Sequence, residues 1–380
     1  MRRLRLLHLL SDWKWTGPAA PVVSLCESLD ALGVDVVLAF RKAPADFRER
    51  TVEKEAARLH LSCWDGFKLN RYFSPRDWRH DIRAIYRFAA DRKVDIIHAH
   101  LTHDHASAAA SLFGRSRRPL LVRTDHKRDG LDAGFAMKAL IGRTDGLAFY
   151  GRRIKERDVA RFGYPEERCV VLPPGIRVYD GPVDDLRASL GIGPDEKVVG
   201  VIGRLKPDRG YDVILRAFKT LTKRMDRVKL VIVGRSSQIE ESVNKPLAAL
   251  GLQKDVILAG YRLDDYFSMI ATFDLFVMMR AGSDGAARAL REVMAMGKPA
   301  VVSDRGTLPE LVQDGYNGYV AADEGLLAAR MEQVLADEGL RQRLGTNARK
   351  TAVEEWDYAL QAKKLIAFYE KLMDLGRRAG

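Results

Sequence analysis

Two stretches in the C-terminal half combine residue types that bind phosphate and sugar. The first is Gly203-Arg204-Leu205-Lys206-Pro207-Asp208-Arg209-Gly210. An apolar run, Lys197 to Gly203, predicts a buried strand ending at this loop, and a helix is expected from Tyr211 to Arg224. Ligands bind at the carboxyl ends of strands in open α/β sheets, beside helix N-termini whose unpaired N–H groups favour anions. Arg204 and Arg209 present planar forks of donors that fit a diphosphate, or they are simply charges on a surface loop. The second stretch runs from Ser283-Asp284-Gly285-Ala286-Ala287 to Glu292, with a helix expected near Ala287. Ala289, Ala295 and Met296 flank Glu292 at helical spacing, so its carboxylate is partly desolvated and needs donors such as ligand hydroxyls. The alternative is an ordinary i,i+4 pair with Arg288.

The N-terminal half offers a looser set. Gly17 and Pro18 follow the first strand, where glycine lets a phosphate approach the backbone and proline suits a first helical turn. His126 and Lys127 follow the strand Leu120–Arg123. His98, His100, His103 and His105 crowd one strand end, and alternation puts His98 and His100 on one face. No carboxylate or cysteine stands at firm metal-ligand spacing to them, so no metal site is expected and lining of an acceptor cleft is the preferred reading. Tyr261 and Arg262 end another strand and are expected near a nucleobase.

These residues need a scaffold that repeats strand and helix. Short apolar runs alternate with helical stretches through all 380 residues, implying parallel sheets covered on both faces. The pattern breaks at Val170-Val171-Leu172-Pro173-Pro174-Gly175 and restarts at Lys197, predicting two domains. Helices are expected over Val22–Leu32 and Trp78–Asp91, a short one within Tyr179–Gly193, and one amphipathic helix over Thr351–Gly380.

In combination these motifs resemble glycosyltransferase family 4, retaining enzymes of the GT-B fold. The resemblance rests on the Gly-Arg-Leu loop, the acid-x7-Glu pattern from Asp284 to Glu292, the Gly297-Lys298-Pro299-Ala300-Val301-Val302 strand and Gly306-Thr307-Leu308-Pro309-Glu310. It implies two Rossmann-like domains facing a central cleft. An acceptor domain over 1–175 and a donor domain over 176–355 would be followed by a C-terminal helix, 356–380, crossing back to the first. Arg204 and Arg209, in place of the family's Arg and Lys, would hold the donor diphosphate. Glu292 would bind the ribose and Asp284, one methylene shorter than the family's Glu, the donor sugar. Gly285, Ala286 and Ala287 would line the phosphate, and Gly17 is a partial match to a family pair of glycines. His126 would stand beside the donor sugar, with His98, His100, His103 and Lys127 on the acceptor side.

The implied function is retaining transfer from a nucleotide sugar, UDP-linked before GDP-linked, to a glycan or glycolipid in bacterial envelope polysaccharide or lipopolysaccharide synthesis. A GT-B epimerase or a nucleotide-sugar-binding protein without transferase activity is the alternative. No Asp-x-Asp pair occurs, so arginines are expected in place of a metal, with no cofactor. The net charge of +12 is uneven: residues 1–175 hold 32 Lys+Arg against 22 Asp+Glu, the remainder 31 against 29. That basic half predicts peripheral contact with an anionic membrane, or is a solvated surface. Nucleic acid is not expected, because no aromatic-basic interleaving or known module is present. No apolar run reaches the ~18 residues of a spanning helix. The three separated cysteines, Cys26, Cys63 and Cys169, suggest the cytoplasm, at or near the inner membrane face.

Overall fold

A computed structural model describes residues 3–15, 17–47, 50–282 and 287–378. The chain divides into two compact units, Met1–Gly175 with Tyr358–Gly380, and Ile176–Asp357. The first unit contains β1 (Arg5–Leu10), α1 (Ala19–Ala31), β2 (Asp35–Phe40), α2 (Val52–Arg58), β3 (Cys63–Trp64), α3 (Pro75–Asp91) and β4 (Ile96–Ala99). It continues with α4 (Thr102–Leu112), β5 (Leu120–Asp125), α5 (Phe135–Ile141), β6 (Gly146–Phe149), α6 (Arg152–Phe162) and β7 (Cys169–Val171). The second begins with β8 (Lys197–Ile202), α7 (Tyr211–Leu221), β9 (Val228–Val233), α8 (Lys245–Ala249), β10 (Val256–Gly260), α9 (Tyr266–Ala271) and β11 (Leu275–Met278). It ends with α10 (Arg288–Ala295), β12 (Ala300–Ser303), α11 (Leu308–Leu311), β13 (Gly318–Ala321), α12 (Glu324–Ala336) and α13 (Glu338–Trp356); α14 (Tyr358–Arg378) returns to the first unit.

Both sheets are parallel, as their apolar runs predict. The first has order β3-β2-β1-β4-β5-β6-β7 and the second β10-β9-β8-β11-β12-β13. Alternate residues feed opposite layers. Val199, Val201, Leu230 and Ile232 enter one core of the second sheet, while Val198, Val231, Phe276 and Val302 enter the other. Each run is therefore apolar throughout, because neither face meets water. The strand order reverses where β1 lies between β2 and β4, and where β8 lies between β9 and β11. Such switch points leave a crevice at the strands' carboxyl ends. The segments after β1, β4, β5, β8 and β10 carry Gly17, His100, His126, Lys127, Arg204, Arg209, Tyr261 and Arg262 among the residues singled out by sequence.

Two element boundaries differ from the sequence reading for identifiable reasons. Helix α3 starts at Pro75, not Trp78, because Ser74 caps it and proline suits the first turn. The expected single helix over 351–380 is two helices broken at Asp357, whose ψ of 138° is extended. Trp356, 2% exposed, belongs to the core of the second unit, whereas Leu365, Phe368, Tyr369 and Leu372 belong to that of the first. The break lets consecutive segments serve separate cores. Gly146 helps seat α14, since a Cβ there would stand 2.4 Å from the Leu372 side chain.

Candidate functional site

In the second unit the residues gather after β8 and around α10. Gly210 precedes α7 with φ of 78°, a left-handed conformation that glycine adopts without a steric penalty; a Cβ there would also stand 2.8 Å from Met279. This turn brings Arg209 back toward the segment after β11, where its Nη1 donates to the Ala281 carbonyl. Its Nε lies 3.7 Å from Asp208 and makes no hydrogen bond among the described residues. Arg204, on the same loop, is exposed. The loop therefore presents one anchored and one open guanidinium beside the N-terminus of an eleven-residue helix, an arrangement suited to an anion.

Glu292 on α10 is 8% exposed, and both its oxygens are engaged. Oε1 accepts from Arg288 Nε at 2.7 Å, the local pair weighed from sequence, and Oε2 accepts from the Tyr266 hydroxyl at 2.7 Å. Burial, then the neighbouring carboxylate, pushes the Tyr266 phenol well above its ordinary range, so it stays a donor. Asp284, Gly285 and Ala286 lie outside the described residues. Ala287, which follows them, caps α10 at φ of 45°, strain of the order of 1–2 kcal/mol for a residue with a Cβ. Tyr261 is 53% exposed, and the Arg235 guanidinium sits 4.4 Å over its ring, a flat surface at the ends of β9 and β10. Arg262 is turned inward, donating to the Ala259 carbonyl and to Asp265, both at 2.8 Å.

The corresponding edge of the first unit has the opposite character. Pairing of β1 with β4 sets His8 beside His98. From there a file of side chains runs across four strand ends. His8 Nδ1 lies 2.9 Å from His100 Nε2, His100 Nδ1 3.0 Å from His126 Nε2, and His126 Nδ1 2.5 Å from the Tyr150 hydroxyl. His98 bridges the Tyr369 hydroxyl on α14 at 2.5 Å and Thr124 at 2.6 Å, with its ring stacked on His100 at 4.5 Å. Burial holds His8 and His126 at about 3 and lowers His98 and His100 well below the usual imidazole value, so the file is neutral at physiological pH.

This arrangement corrects the expectation that His98 and His100 line a cleft. They are 0% and 1% exposed, and both nitrogens of each ring are already bonded. Both ring nitrogens of His126 are likewise committed, which makes its imidazole a strut in this structure. His103 is exposed, Lys127 pairs with Asp132 at 2.5 Å, and Gly17 sits in the turn ahead of α1.

His8, His98 and His100 do bring ring nitrogens within 4.8 Å of one another, a spacing open to a metal. Five of those six nitrogens, however, join ring to ring or meet Thr124 and Tyr369, and a metal would have to displace such bonds. On the opposite face of β5, Arg123 is 2% exposed and electrostatically coupled to Asp125 and Asp104. Asp104 ties the loops after β1 and β4, accepting from the backbone of Ser11 at 2.7 Å and Leu101 at 2.8 Å.

Sequence reasoning missed His8, Thr124, Tyr150 and Tyr369 around the histidines, and Tyr266 and Arg235 in the second unit. Only His8 carried a usable signal, a polar residue inside the apolar run of β1.

Two family models match the chain: "Glycosyltransferase Family 4" over residues 16–178 and "Glycosyl transferases group 1" over residues 182–351. A GDP-mannose-dependent alpha-(1-6)-phosphatidylinositol monomannoside mannosyltransferase of Mycolicibacterium smegmatis is 29% identical over 70% of this chain and 67% of its own length. A lipopolysaccharide 1,2-N-acetylglucosaminetransferase of Salmonella typhimurium is 35% identical over 37% of this chain and 39% of its own. The chain spans about half to two thirds of the length of the first curated relatives it matches.

Among solved structures, a Rickettsia africae glycosyltransferase superposes with a TM-score of 0.83 at 15% identity, covering 98% of this chain and 99% of that one. Anabaena Alr3699/HepE in complex with UDP-glucose gives 0.77 at 18% identity, covering 98% and 100%. With two parallel α/β units and family models matching each half, the chain belongs to the family 4 glycosyltransferases of the GT-B fold.

Proposed function

We propose that this protein transfers a sugar from a nucleoside diphosphate to a glycan or glycolipid acceptor with retention of anomeric configuration and without a metal. The second unit takes the donor and the first the acceptor. A UDP-sugar is the favoured donor and a GDP-sugar the second choice. The observation that carries this reading is the placement of Arg209, anchored on the Ala281 carbonyl beside the start of α7 with its buried Nε unbonded among the described residues. Such a group supplies fixed positive charge where a leaving diphosphate gains negative charge, which is where electrostatic stabilisation lowers the barrier most. Arg204 adds a second guanidinium from the open side of the loop. Glu292, prepositioned by Tyr266, takes ribose hydroxyls after exchanging its bond to Arg288. Asp284 contacts the donor sugar, and Tyr261 with Arg235 stacks the base.

The acceptor side uses His103 and Lys127, with His126 held by its neighbours as part of the wall. The excess charge of the first half suits an acceptor at an anionic membrane surface, consistent with envelope or lipopolysaccharide assembly on the cytoplasmic face. Among the described residues no helix is long and apolar enough to cross a membrane.

A panel of UDP- and GDP-sugars, screened by thermal shift and then by nucleotide release with and without candidate acceptors, tests the reading. Release that survives chelation, an α-linked product from an α-linked donor, and loss of both in Arg209→Ala and Glu292→Ala are expected. Full activity in both variants overturns it. Nucleotide binding with no release identifies a binding module, and an epimerised donor an epimerase.

A further inference from the structure

Two donors hold the Glu292 carboxylate, and they differ in how readily a ligand replaces them. The Tyr266 hydroxyl, on Oε2 at 2.7 Å, comes from α9, and its ring is backed by Phe267, which stacks on Tyr179 at 3.9 Å. Arg288, whose Nε meets Oε1 at 2.7 Å, opens α10, and its side chain is 57% exposed. An i,i+4 pair whose cation stands in solvent is weak. An incoming pair of hydroxyls therefore displaces the arginine and leaves the tyrosine in place.

Arg288 also stands where anions are favoured. The N-terminal end of α10, an eight-residue helix, carries backbone N–H groups without helical partners. The segment leading from β11 into that end is the one to which Arg209 is tied, through the Ala281 carbonyl.

We propose that Arg288 exchanges partners when the donor binds: it yields Glu292 to ribose hydroxyls and moves onto the diphosphate as a third guanidinium, beside Arg204 and Arg209. This rests on the donor site proposed above. A buried carboxylate oxygen without a donor is costly, so Arg288 serves Glu292 until a ribose arrives. A guanidinium released from its carboxylate is drawn to a nearby anion, and a diphosphate meets its planar fork with two oxygens. The exchange thus couples two parts of one ligand. A nucleoside breaks the ion pair without compensation, whereas a nucleoside diphosphate gives the arginine a new partner.

Binding titrations of the full chain test it, by calorimetry with UDP and GDP and by NMR with the weaker uridine and guanosine. Arg288→Met keeps much of the side chain's length without its charge. In that variant, affinity for the diphosphate that binds the unaltered protein should fall about ten-fold or more. Affinity for the matching nucleoside should instead rise about two-fold, because no ion pair has to be broken. Arg288→Lys should recover part of the diphosphate affinity. Salt should erode the preference for diphosphate over nucleoside more in the unaltered protein than in Arg288→Met. The melting temperature should be unchanged in both variants. Equal losses for nucleoside and diphosphate would make the Arg288–Glu292 pair a structural one and overturn the proposal, as would unchanged affinity for both. If the unaltered protein binds neither diphosphate, the donor site itself falls. If it binds one, with the same preference over the nucleoside in Arg288→Met, the exchange alone is refuted.

Discussion

The two strand-end regions use polar residues in opposite ways. After β8, the charged groups are few and open: Arg204 is exposed, and Arg209 is held through one nitrogen with Nε unbonded among the described residues. After β1, β4 and β5, the imidazoles of His8, His98, His100 and His126 are neutral, and they bond to one another or to Thr124, Tyr150 and Tyr369. The contrast separates a surface prepared for a ligand from a scaffold that holds strand ends in place. Buried polar groups must find partners, and once they have found them internally they have little left to offer a substrate.

The largest expected effect tests the open region. Arg209→Ala should lower transfer by about 10²–10³-fold, as for other groups that stabilise developing charge, with an unchanged melting temperature. Comparable activity would move the diphosphate elsewhere. In the closed region the corresponding loss is of stability: His100→Ala leaves His8 and His126 each short of a partner, a penalty of about 1–3 kcal/mol apiece in urea denaturation. A change within experimental error would mean the file does not hold the strand ends.

Acid should act on the same side of the comparison. His8, His105 and His126 are held at about 3, and His98 and His100 also lie below their ordinary value. Each unfolded imidazole takes a proton near 6.5, so the unfolded state binds more protons below that pH. Stability from these groups is complete above 6.5 and is lost as pH falls toward 3. Asp104 and Asp125, raised to about 6 by burial, and Asp81, which burial raises as well, oppose this as pH falls to about 3.8, but they are three carboxyls against five imidazoles. The melting temperature should therefore fall steadily from neutral pH to about 4.5. A flat profile would show that the imidazoles are not buried neutral.

The smallest effect returns to the open region. Tyr266→Phe removes one hydrogen bond to Glu292, and a rise of a few-fold in KM for the donor with kcat retained is expected. A fall in kcat alone would place Glu292 in the chemistry and not in ribose binding.

Much of the architecture was legible because it depends on local pattern. Apolar runs covered on both faces, the Pro-Gly break before Ile176 and the Gly-Arg loop at a strand end are all short-range signals. The amphipathic stripe of α14 was legible too, though the break at Asp357 was not, because it is set by which core Trp356 enters. His98 and His100 illustrate the limit most clearly. Alternation put them on one face, but their neighbours come from β1, β5 and α14, up to 271 residues away.

By itself, then, the amino-acid sequence determined the repeated strand–helix order, the two units and the loop that carries Arg204 and Arg209, since each follows from residue type and spacing. Tertiary structure alone decided which polar groups remain available. A side chain's hydrogen-bonding capacity is used up by partners distant in sequence, so the same strand-end position yields an anchored arginine in one unit and a sealed histidine file in the other.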